Sequence, residues 1–517
     1  IFKLKDNYTL NFITLLEGKA LLNYSYPNPD QICIKAWHCS KNITIIVKMN
    51  YYPGWTADST QGEVKLTRDP DGLMKIQLLN ADDATDIILQ YGLTATDYIG
   101  LGATITGALL YILIFLSVTW KYYEGWTHTL HKRAYIGQIR KKKESTAKAS
   151  REVTEKTKKV MEMGLEREKS AQISVAQASQ GTRWLSRLYH LISVMIVATY
   201  ALYISQPYLK EHGLPAFVDA PGHAFKVWYL IDCWEKYGVI PYFWDSWWYA
   251  GYPFLQVYPP LSYMLAAFFG RAFFNGDPIL GFRYTIALSN VVAAIGTYIG
   301  IYMLFGSKVG GVIGGIVYAS SAYRAAAVRT GMFPVYVATM FLPLIIPLYQ
   351  RCLSSSAPRK YMLSAGVLAL LLLTHIQVFA YAILTLALYL ILTLRKPHRK
   401  GIAGFFSFFL KNVGVFALII SIALCFTSFW VIPFLSYRSF FYTAYPEYYL
   451  KIQSIPGPHH FFQKTGKAVY IGLSSLGLII LAFIVNKRAR IDHHMIFFSI
   501  LGFLSAFLSI HQHETFK

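Results

Sequence analysis

Residues 215–263 read PAFVDAPGHAFKVWYLIDCWEKYGVIPYFWDSWWYAGYPFLQVYPPLSY, and this stretch decides how the rest of the chain is organised. Proline and glycine punctuate an aromatic segment that has apolar runs on both sides. It carries several titratable side chains, among them Asp219, His223 and Lys226. A long, ordered loop with titratable groups beside a membrane favours a functional role, so we expect the chemistry of the chain to lie here.

The composition is that of a membrane protein. Hydrophobic residues make up 54% of the 517 residues, and the mean hydropathy is +0.36. Several apolar runs are long enough to span a bilayer. A net charge of +22 would indicate nucleic-acid binding in a soluble domain. Here the basic residues lie in short clusters beside apolar runs, which predicts contact with anionic lipid and the bilayer, and no nucleic acid.

Residues 1–97 alternate apolar and polar side chains between turn signals, which predicts a small β-sandwich. Gly62 and Gly72 mark two of the turns. The clearest strand candidates are 43–49, 73–79 and 86–91.

Two features of this part bear on its location. Asn7 and Asn42 each begin an Asn-x-Thr glycosylation sequon, which favours an extracytoplasmic position. The chain has five cysteines, of which Cys33 and Cys39 lie close together. Outside the cytoplasm they would form either a disulfide or two free thiols.

The next segments set the orientation. Residues 98–119 predict a transmembrane helix, and residues 120–185 a basic helical or disordered linker. The positive-inside rule places this linker in the cytoplasm. Residues 1–97 are then extracytoplasmic, and so is the loop 207–255 within the membrane module 186–517.

Later basic clusters at 351–360, 395–400 and 487–490 come out on the cytoplasmic side if 361–394 forms two short crossings that break at His375. Crossings at 413–434, 468–486 and 493–510 complete the count.

The block 256–350 does not fit this orientation. It offers four apolar segments, whereas an odd number of crossings is needed between the extracytoplasmic loop 207–255 and the cytoplasmic cluster at 351–360. We expect the Gly-rich 309–323 piece to cross only partly, which is allowed where protein buries it. The predicted fold is a mainly α, polytopic membrane protein of about ten or eleven transmembrane helices with an N-terminal extracytoplasmic β-sandwich.

The loop resembles a known family. In order it contains Asp219-Ala-Pro-Gly-His223, Gly238-Val-Ile-Pro241, Trp247-Trp-Tyr-Ala-Gly-Tyr-Pro253 and Tyr258-Pro-Pro-Leu-Ser-Tyr263. This series resembles the first extracytoplasmic loop of GT-C glycosyltransferases, and is most similar to the uncharacterised membrane proteins labelled 6-pyruvoyl-tetrahydropterin-synthase-related and to the YfhO-like proteins. The resemblance covers roughly 186–510 and implies a GT-C-like fold.

The N-terminal part resembles the same families out of place. Tyr51-Tyr-Pro-Gly-Trp55 and the strand after Asp71 look like the β-domain that follows the membrane bundle in those proteins. We expect either a tandem fusion, with this sequence as a window across the junction, or a permuted module.

The resemblance implies a sugar transfer from a polyprenyl-phosphate donor on the extracytoplasmic face. Asp219 is then the general base or the ligand of a divalent metal, Mg or Mn, with His223 beside it in the catalytic site. The simpler interpretation is that Asp219 caps the helix that starts at Pro221, and that His223 packs beneath the aromatic loop.

Further candidates would hold the lipid phosphate or the substrate: Lys226, Tyr258, Arg324, Arg329 and His375. The two arginines alternatively snorkel to the interface, and His375 alternatively makes an interhelical hydrogen bond. The tryptophans 244, 247 and 248 favour an aromatic belt at the membrane surface over sugar stacking. The alternative to a glycosyltransferase is a non-catalytic membrane scaffold or complex subunit, whose β-domain binds a partner protein or a glycan.

Overall fold

A computed structural model describes most of the chain up to residue 437. The described residues are 12–110, 112, 184–210, 213–215, 219–238, 244–246, 251–354, 357–393 and 401–437. Asn7, most of the predicted linker 120–185 and the predicted crossings 468–486 and 493–510 lie outside them.

Eight strands build the N-terminal part in two four-stranded sheets. One has the order β1-β4-β7-β6 and the other β2-β3-β8-β5, and all neighbouring strands run antiparallel. The strands are β1 Ile13–Glu17, β2 Leu21–Asn28, β3 Gln31–Trp37, β4 Asn42–Asn50, β5 Trp55–Ser59, β6 Glu63–Arg68, β7 Leu73–Leu79 and β8 Ala84–Tyr91. We call residues 12–91 the β-domain.

The alternating pattern of the sequence explains how the sheets pack. Every second residue of β8 is buried and the others are exposed, because successive side chains of a strand point to opposite faces. Buried residues from both sheets, such as Ile34, Ile45, Ile76 and Leu89, share one apolar cluster. All three predicted strands are confirmed.

Cys33 and Cys39 are unpaired in the structure, and the disulfide alternative stays a prediction. Asn42 begins β4 and its side chain is exposed, which leaves the sequon a prediction.

Helices make up the rest of the described chain. Helix α1 covers 95–110, and α2 covers Trp184–Lys210. A two-stranded ribbon, β9 Trp244–Asp245 with β10 Tyr252–Pro253, follows α3. The other helices are α3 Ala220–Tyr237, α4 Phe254–Val257, α5 Leu261–Phe273, α6 Pro278–Phe305, α7 Lys308–Ala319, α8 Ala322–Arg329, α9 Phe333–Ala338, α10 Leu342–Leu353, α11 Pro358–Thr374, α12 Ile376–Thr393 and α13 Gly401–Ser436.

Four helical stretches among the described residues are long and apolar enough to cross a membrane. They are Trp184–Lys210, Pro278–Phe305, Phe333–Leu353 and Phe406–Ser436. The chain is therefore mostly helical and a membrane protein, as predicted. The break expected at His375 is confirmed, since α11 ends at Thr374 and α12 begins at Ile376.

Contacts between the ends of the helices give their directions. Arg283 Nε near the start of α6 donates to the carbonyl oxygen of Tyr208 near the end of α2. At the other end, Lys308 Nζ lies 2.8 Å from Ser186 Oγ. Helix α6 is thus antiparallel to α2. Helix α7 returns along α6, and Gly331 beyond α8 lies against the backbone of Asp219.

Helix α5 stays at the end of the bundle where α6 begins. Tyr263 in its first turn contacts His223 of α3, and Gly270 near its end lies against Asp277, the N-cap of α6. Its 13 residues extend about 20 Å. Helix α5 therefore lies beside the first part of α6, whereas α7, continued by α8, runs back along α6 towards the end where α6 begins. The number of crossings in 256–350 stays a prediction.

Helix α1 packs against α13 through small residues. A Cβ on Gly100 would lie 2.6 Å from the carbonyl oxygen of Ser428, so only glycine permits this approach. One turn further, the amide of Phe429 donates to Thr104 Oγ1 at 2.9 Å. The β-domain is thereby carried on a helix that docks against the membrane module.

This packing predicts a specific cross-link. A Cβ on Gly107 would lie 3.0 Å from Cβ of the free Cys425, near the Cβ separation of about 3.5–4.5 Å found in disulfides. We expect Gly107→Cys to form a disulfide with Cys425 under mild oxidation. With a protease site inserted in the predicted linker, the two cleaved pieces should migrate together on a non-reducing gel.

Gly102→Cys is the matched control, because a Cβ on Gly102 meets nothing within 4 Å. Equal cross-linking of both variants would contradict the packing of α1 on α13.

Candidate functional site

Asp219 stands immediately before α3, but its side chain does not cap the helix. Pro221 occupies the first turn, as the sequence predicts, and the Asp219 carboxylate makes no capping hydrogen bond. The interpretation of Asp219 as a side-chain cap is therefore wrong. The side chain is exposed, while the carbonyl oxygen accepts a bond of 3.1 Å from the amide of His223. An exposed carboxylate without a structural task is available to a ligand.

His223 lies one turn along α3 and faces inward. Its Nδ1 is 2.8 Å from the hydroxyl of Tyr263, and its ring is 6.4 Å from that of Phe333. Burial lowers the pKa of His223 to about 3, and the nearby Lys226 and His375 act in the same direction. The imidazole is neutral at physiological pH. This geometry favours the packing role over that of a proton donor.

Lys226 continues the same helix and is only 4% exposed. Its Nζ donates to the carbonyl oxygen of Gly222 at 3.2 Å and lies 4.9 Å from the centre of the Tyr258 ring. Burial lowers the pKa of Lys226 to about 8, against the carboxylates of Asp245 and Asp219, which raise it. Asp219, His223, Lys226 and Tyr258 thus gather around the start of α3.

The two predicted arginines have different surroundings. Arg329, at the end of α8, is exposed. Arg324 is 2% exposed and lies between the rings of Tyr336, at 4.2 Å, and Tyr318, at 5.4 Å. Its Nη1 donates to Thr339 Oγ1. Its Nε and Nη2 have no hydrogen-bond partner among the described residues.

A cavity of about 790 Å³ lies between α6, α10 and α12. Most of its wall is apolar, with His375 and Gln377 among the polar exceptions. Tyr318 and Thr339, the neighbours of Arg324, also line it. The guanidinium therefore stands directly behind the wall. Of the predicted site residues, only His375 is itself part of the lining.

The segment 331–335 separates the cavity from the start of α3. Gly331 has a φ of +75°, and a Cβ there would lie 2.5 Å from the amide nitrogen of Ala220. The following residues, Met332 and Val335, line the cavity. The predicted residues therefore form two adjacent parts: a polar group at α3 and an apolar cavity backed by Arg324.

The described residues do not fit a metal site at Asp219. Among them, no group of three or more His, Cys, Asp or Glu side chains is arranged to hold an ion. The metal remains a sequence-based prediction.

Trp244 has a different role from the one predicted. It is 0% exposed and its ring lies 5.1–5.5 Å from those of Tyr52, Trp55 and Tyr91, inside the core of the β-domain. Its assignment to a membrane-interface belt is wrong. The tryptophans at 247 and 248 lie outside the described residues.

Asp30 fixes the backbone of this tryptophan. Asp30 Oδ1 accepts a bond of 2.9 Å from the amide of Trp244, while the Trp244 carbonyl oxygen accepts one of 2.7 Å from the hydroxyl of Tyr229. Burial raises the pKa of Asp30 to about 6, against the Trp244 amide, which lowers it.

Sequence reasoning missed four residues that shape the site: Tyr263, Gly331, Thr339 and Asp30. Tyr263 closes the Tyr-Pro-Pro-Leu-Ser-Tyr motif, and Gly331 precedes Met332-Phe-Pro334, so both lay within stretches already marked by the sequence. Thr339 and Asp30 carry no local signal, because their partners are distant in the chain.

Together these features define a helical membrane protein with an apolar cavity beside a polar loop site, joined to an N-terminal β-domain. No curated protein matches the chain. A family model described as 6-pyruvoyl-tetrahydropterin synthase related domain, membrane protein, matches residues 255–513. The chain belongs to this family of membrane proteins, which confirms the resemblance drawn from the loop.

The pKa of Asp30 predicts how pH affects stability. Because the folded-state pKa of about 6 exceeds the ordinary 3.8, stability falls as pH rises from about 4 to 6 and is level above. We expect Asp30→Asn, which can still accept from the Trp244 amide, to be more stable than wild type by up to roughly 3 kcal/mol at pH 7.5. The gain should vanish towards pH 4, as measured by thermal unfolding.

Asp86→Asn is the control, since Asp86 on β8 is exposed. A gain for Asp30→Asn that is the same at pH 4.5 and pH 7.5 would contradict the assignment.

Proposed function

We propose that this protein is a GT-C-like glycosyltransferase, which transfers a sugar from a polyprenyl-phosphate donor on the extracytoplasmic face. The observation that carries the proposal is Arg324, a buried cation with two unpartnered donors beside an apolar cavity. Among the described residues no carboxylate pairs with it. A buried charge is costly without a partner, so its retention favours an anionic ligand.

The ligand that fits is amphiphilic. The cavity wall is largely apolar and suits a hydrocarbon chain. The guanidinium provides charged donors of the kind that phosphate accepts. A polyprenyl phosphate combines both properties.

The transfer places Asp219 on the acceptor side. Its exposed carboxylate accepts the proton of the acceptor hydroxyl, and the acceptor oxygen forms a bond to the anomeric carbon of the sugar. The bond from that carbon to the phosphate oxygen breaks, and the lipid phosphate leaves with the electron pair. Lys226, at the same end of α3, stabilises the negative charge of the leaving phosphate.

A second candidate function rests on the β-domain. Phe12, Tyr24 and Tyr26 form an aromatic cluster with ring centres 5.1–5.8 Å apart. Tyr24 and Tyr26 are each 41% exposed. This surface favours the scaffold alternative, in which the β-domain binds a partner or a glycan.

The transfer reaction has a direct test. In an assay of the purified protein with a polyprenyl-phosphate sugar, we expect Asp219→Asn to lower kcat by about 10²–10⁴-fold, because the amide cannot take the proton. Asp232→Asn is the control, since Asp232 on the same helix pairs with Lys236 at 2.8 Å. Unchanged transfer by Asp219→Asn would remove its catalytic role, and no transfer by wild type would favour the scaffold.

The ligand site has a test independent of turnover. We expect Arg324→Met to stabilise the unliganded protein by about 1–3 kcal/mol, because it removes buried donors without partners. A polyprenyl phosphate should raise the Tm of wild type and leave that of the variant unchanged.

Two comparisons sharpen this test. Arg329→Met should leave the Tm of the unliganded protein unchanged, because Arg329 is exposed. The uncharged polyprenol should stabilise wild type less than the phosphate does. Equal stabilisation of wild type and Arg324→Met by the phosphate would contradict the anion site.

A further inference from the structure

The β-domain holds the described parts of the segment after α3, residues 244–246 and 251–256, from one side. The Trp244 ring completes the core of that domain, and the Trp244 amide donates to Asp30. Further along, Asn50 Nδ2 donates to the carbonyl oxygen of Gly251 at 3.0 Å. Gln256 provides a third contact, after those of Trp244 and Gly251.

Gln256 joins the β-domain and α1 through one side chain. It is 3% exposed, and its Oε1 accepts a bond of 2.8 Å from the hydroxyl of Tyr91 at the end of β8. Its Nε2 donates to Asp97 Oδ1 at 3.1 Å, in the first turn of α1. The other oxygen of Asp97 accepts from the hydroxyl of Tyr437, after α13. All polar atoms of the glutamine side chain therefore serve the junction.

The same stretch leads directly to the candidate site. Tyr229 of α3 donates to the Trp244 carbonyl oxygen, which ties the ribbon to the helix that carries Lys226. Tyr258 follows Gln256 by two residues, and its ring lies 4.9 Å from Lys226 Nζ. The position of the ring over the amine thus depends on a segment that the β-domain holds.

We propose that Gln256 and Trp244 are positioning residues, through which the docked β-domain keeps Tyr258 over Lys226 and keeps the Lys226 amine out of water. We call this arrangement, in which Trp244 and Gln256 hold the segment before Tyr258 against the β-domain, the clasp. The catalytic meaning of this clasp rests on the proposed function, whereas the clasp itself does not.

The hydrogen bonds of Gln256 are few enough that one substitution should release the clasp. Gln256→Ala leaves the Tyr91 hydroxyl and the buried Asp97 each short of one hydrogen bond. Loss of such bonds is enough to raise the population of a locally opened state by about tenfold.

The test reads the exposure of Lys226 in the full chain. The protein in detergent is treated with a water-soluble amine-acylating reagent at pH 8, and labelling is quantified by mass spectrometry. Lys236 on the same helix is exposed and serves as the internal reference. We expect the ratio of Lys226 to Lys236 labelling to rise about tenfold in Gln256→Ala and in Trp244→Ala.

Gln90→Ala is the matched control, since Gln90 is exposed on β8 beside Tyr91. Its labelling ratio should equal that of wild type. Gln256→Glu keeps the acceptor for Tyr91 but sets a second carboxylate against Asp97, so its ratio should rise at least as much as that of Gln256→Ala.

Two outcomes would overturn the positioning role of Gln256. A wild-type ratio in Gln256→Ala overturns the proposal. So does loss of the Gly107→Cys to Cys425 cross-link in both Gln256 variants, because Gln256 would then maintain the docking of α1 and not the position of Tyr258. If wild type transfers no sugar but the ratio rises as expected, the glycosyltransferase proposal fails and the clasp stands.

Discussion

The burial of one indole joins the two halves of this protein. Trp244 belongs by sequence to the loop after α3, yet its ring lies within the core of a β-domain that ends at Tyr91. Neighbouring domains of one chain usually meet through limited, partly polar interfaces. Here the β-domain core includes a side chain supplied by the membrane module, so the loop cannot change position without exposing part of that core.

Three buried charged side chains show how charge is compensated in and around the site. Asp97 accepts bonds from Thr94, Gln256 and Tyr437, so the carboxylate is well satisfied without a cation. Lys226 has a carbonyl oxygen, an aromatic face and two nearby carboxylates. Arg324 has two aromatic faces but a single hydrogen-bonded nitrogen. The same physical rule that explains the first two marks the third as incomplete, since aromatic contact does not replace hydrogen bonds to all donors.

The local sequence pattern was sufficient to predict the strands and helices, but it was insufficient to predict the contacts between them. The alternation in β7 and β8 and the apolar length of α6 determine a strand or a helix wherever those residues lie, so these elements were predicted. A capping signal at Asp219 and an aromatic signal at Trp244 were interpreted wrongly, because each depends on which surface approaches it. Similarly, the length of α5 does not reveal that it lies along α3. The site residues followed the same division: Asp219 and Lys226 were found in the single stretch 215–263, whereas Asp30, which is distant in the chain, was not found.

The position of the β-domain and α1 at the start of the sequence does not determine where they pack. The β-domain and α1 come first in sequence, yet α1 packs on α13, the last described helix. This docking uses hydrogen bonds and close backbone contacts that are the same whether the connection runs before or after the bundle. The cost of a connection grows only as about (3/2)RT ln n with its length, so lengthening or relocating one changes the free energy by little. A domain of this kind can therefore dock on the bundle whether it precedes or follows the bundle in the chain. What must be retained is the set of contacts made by Trp244, Gln256 and Gly100.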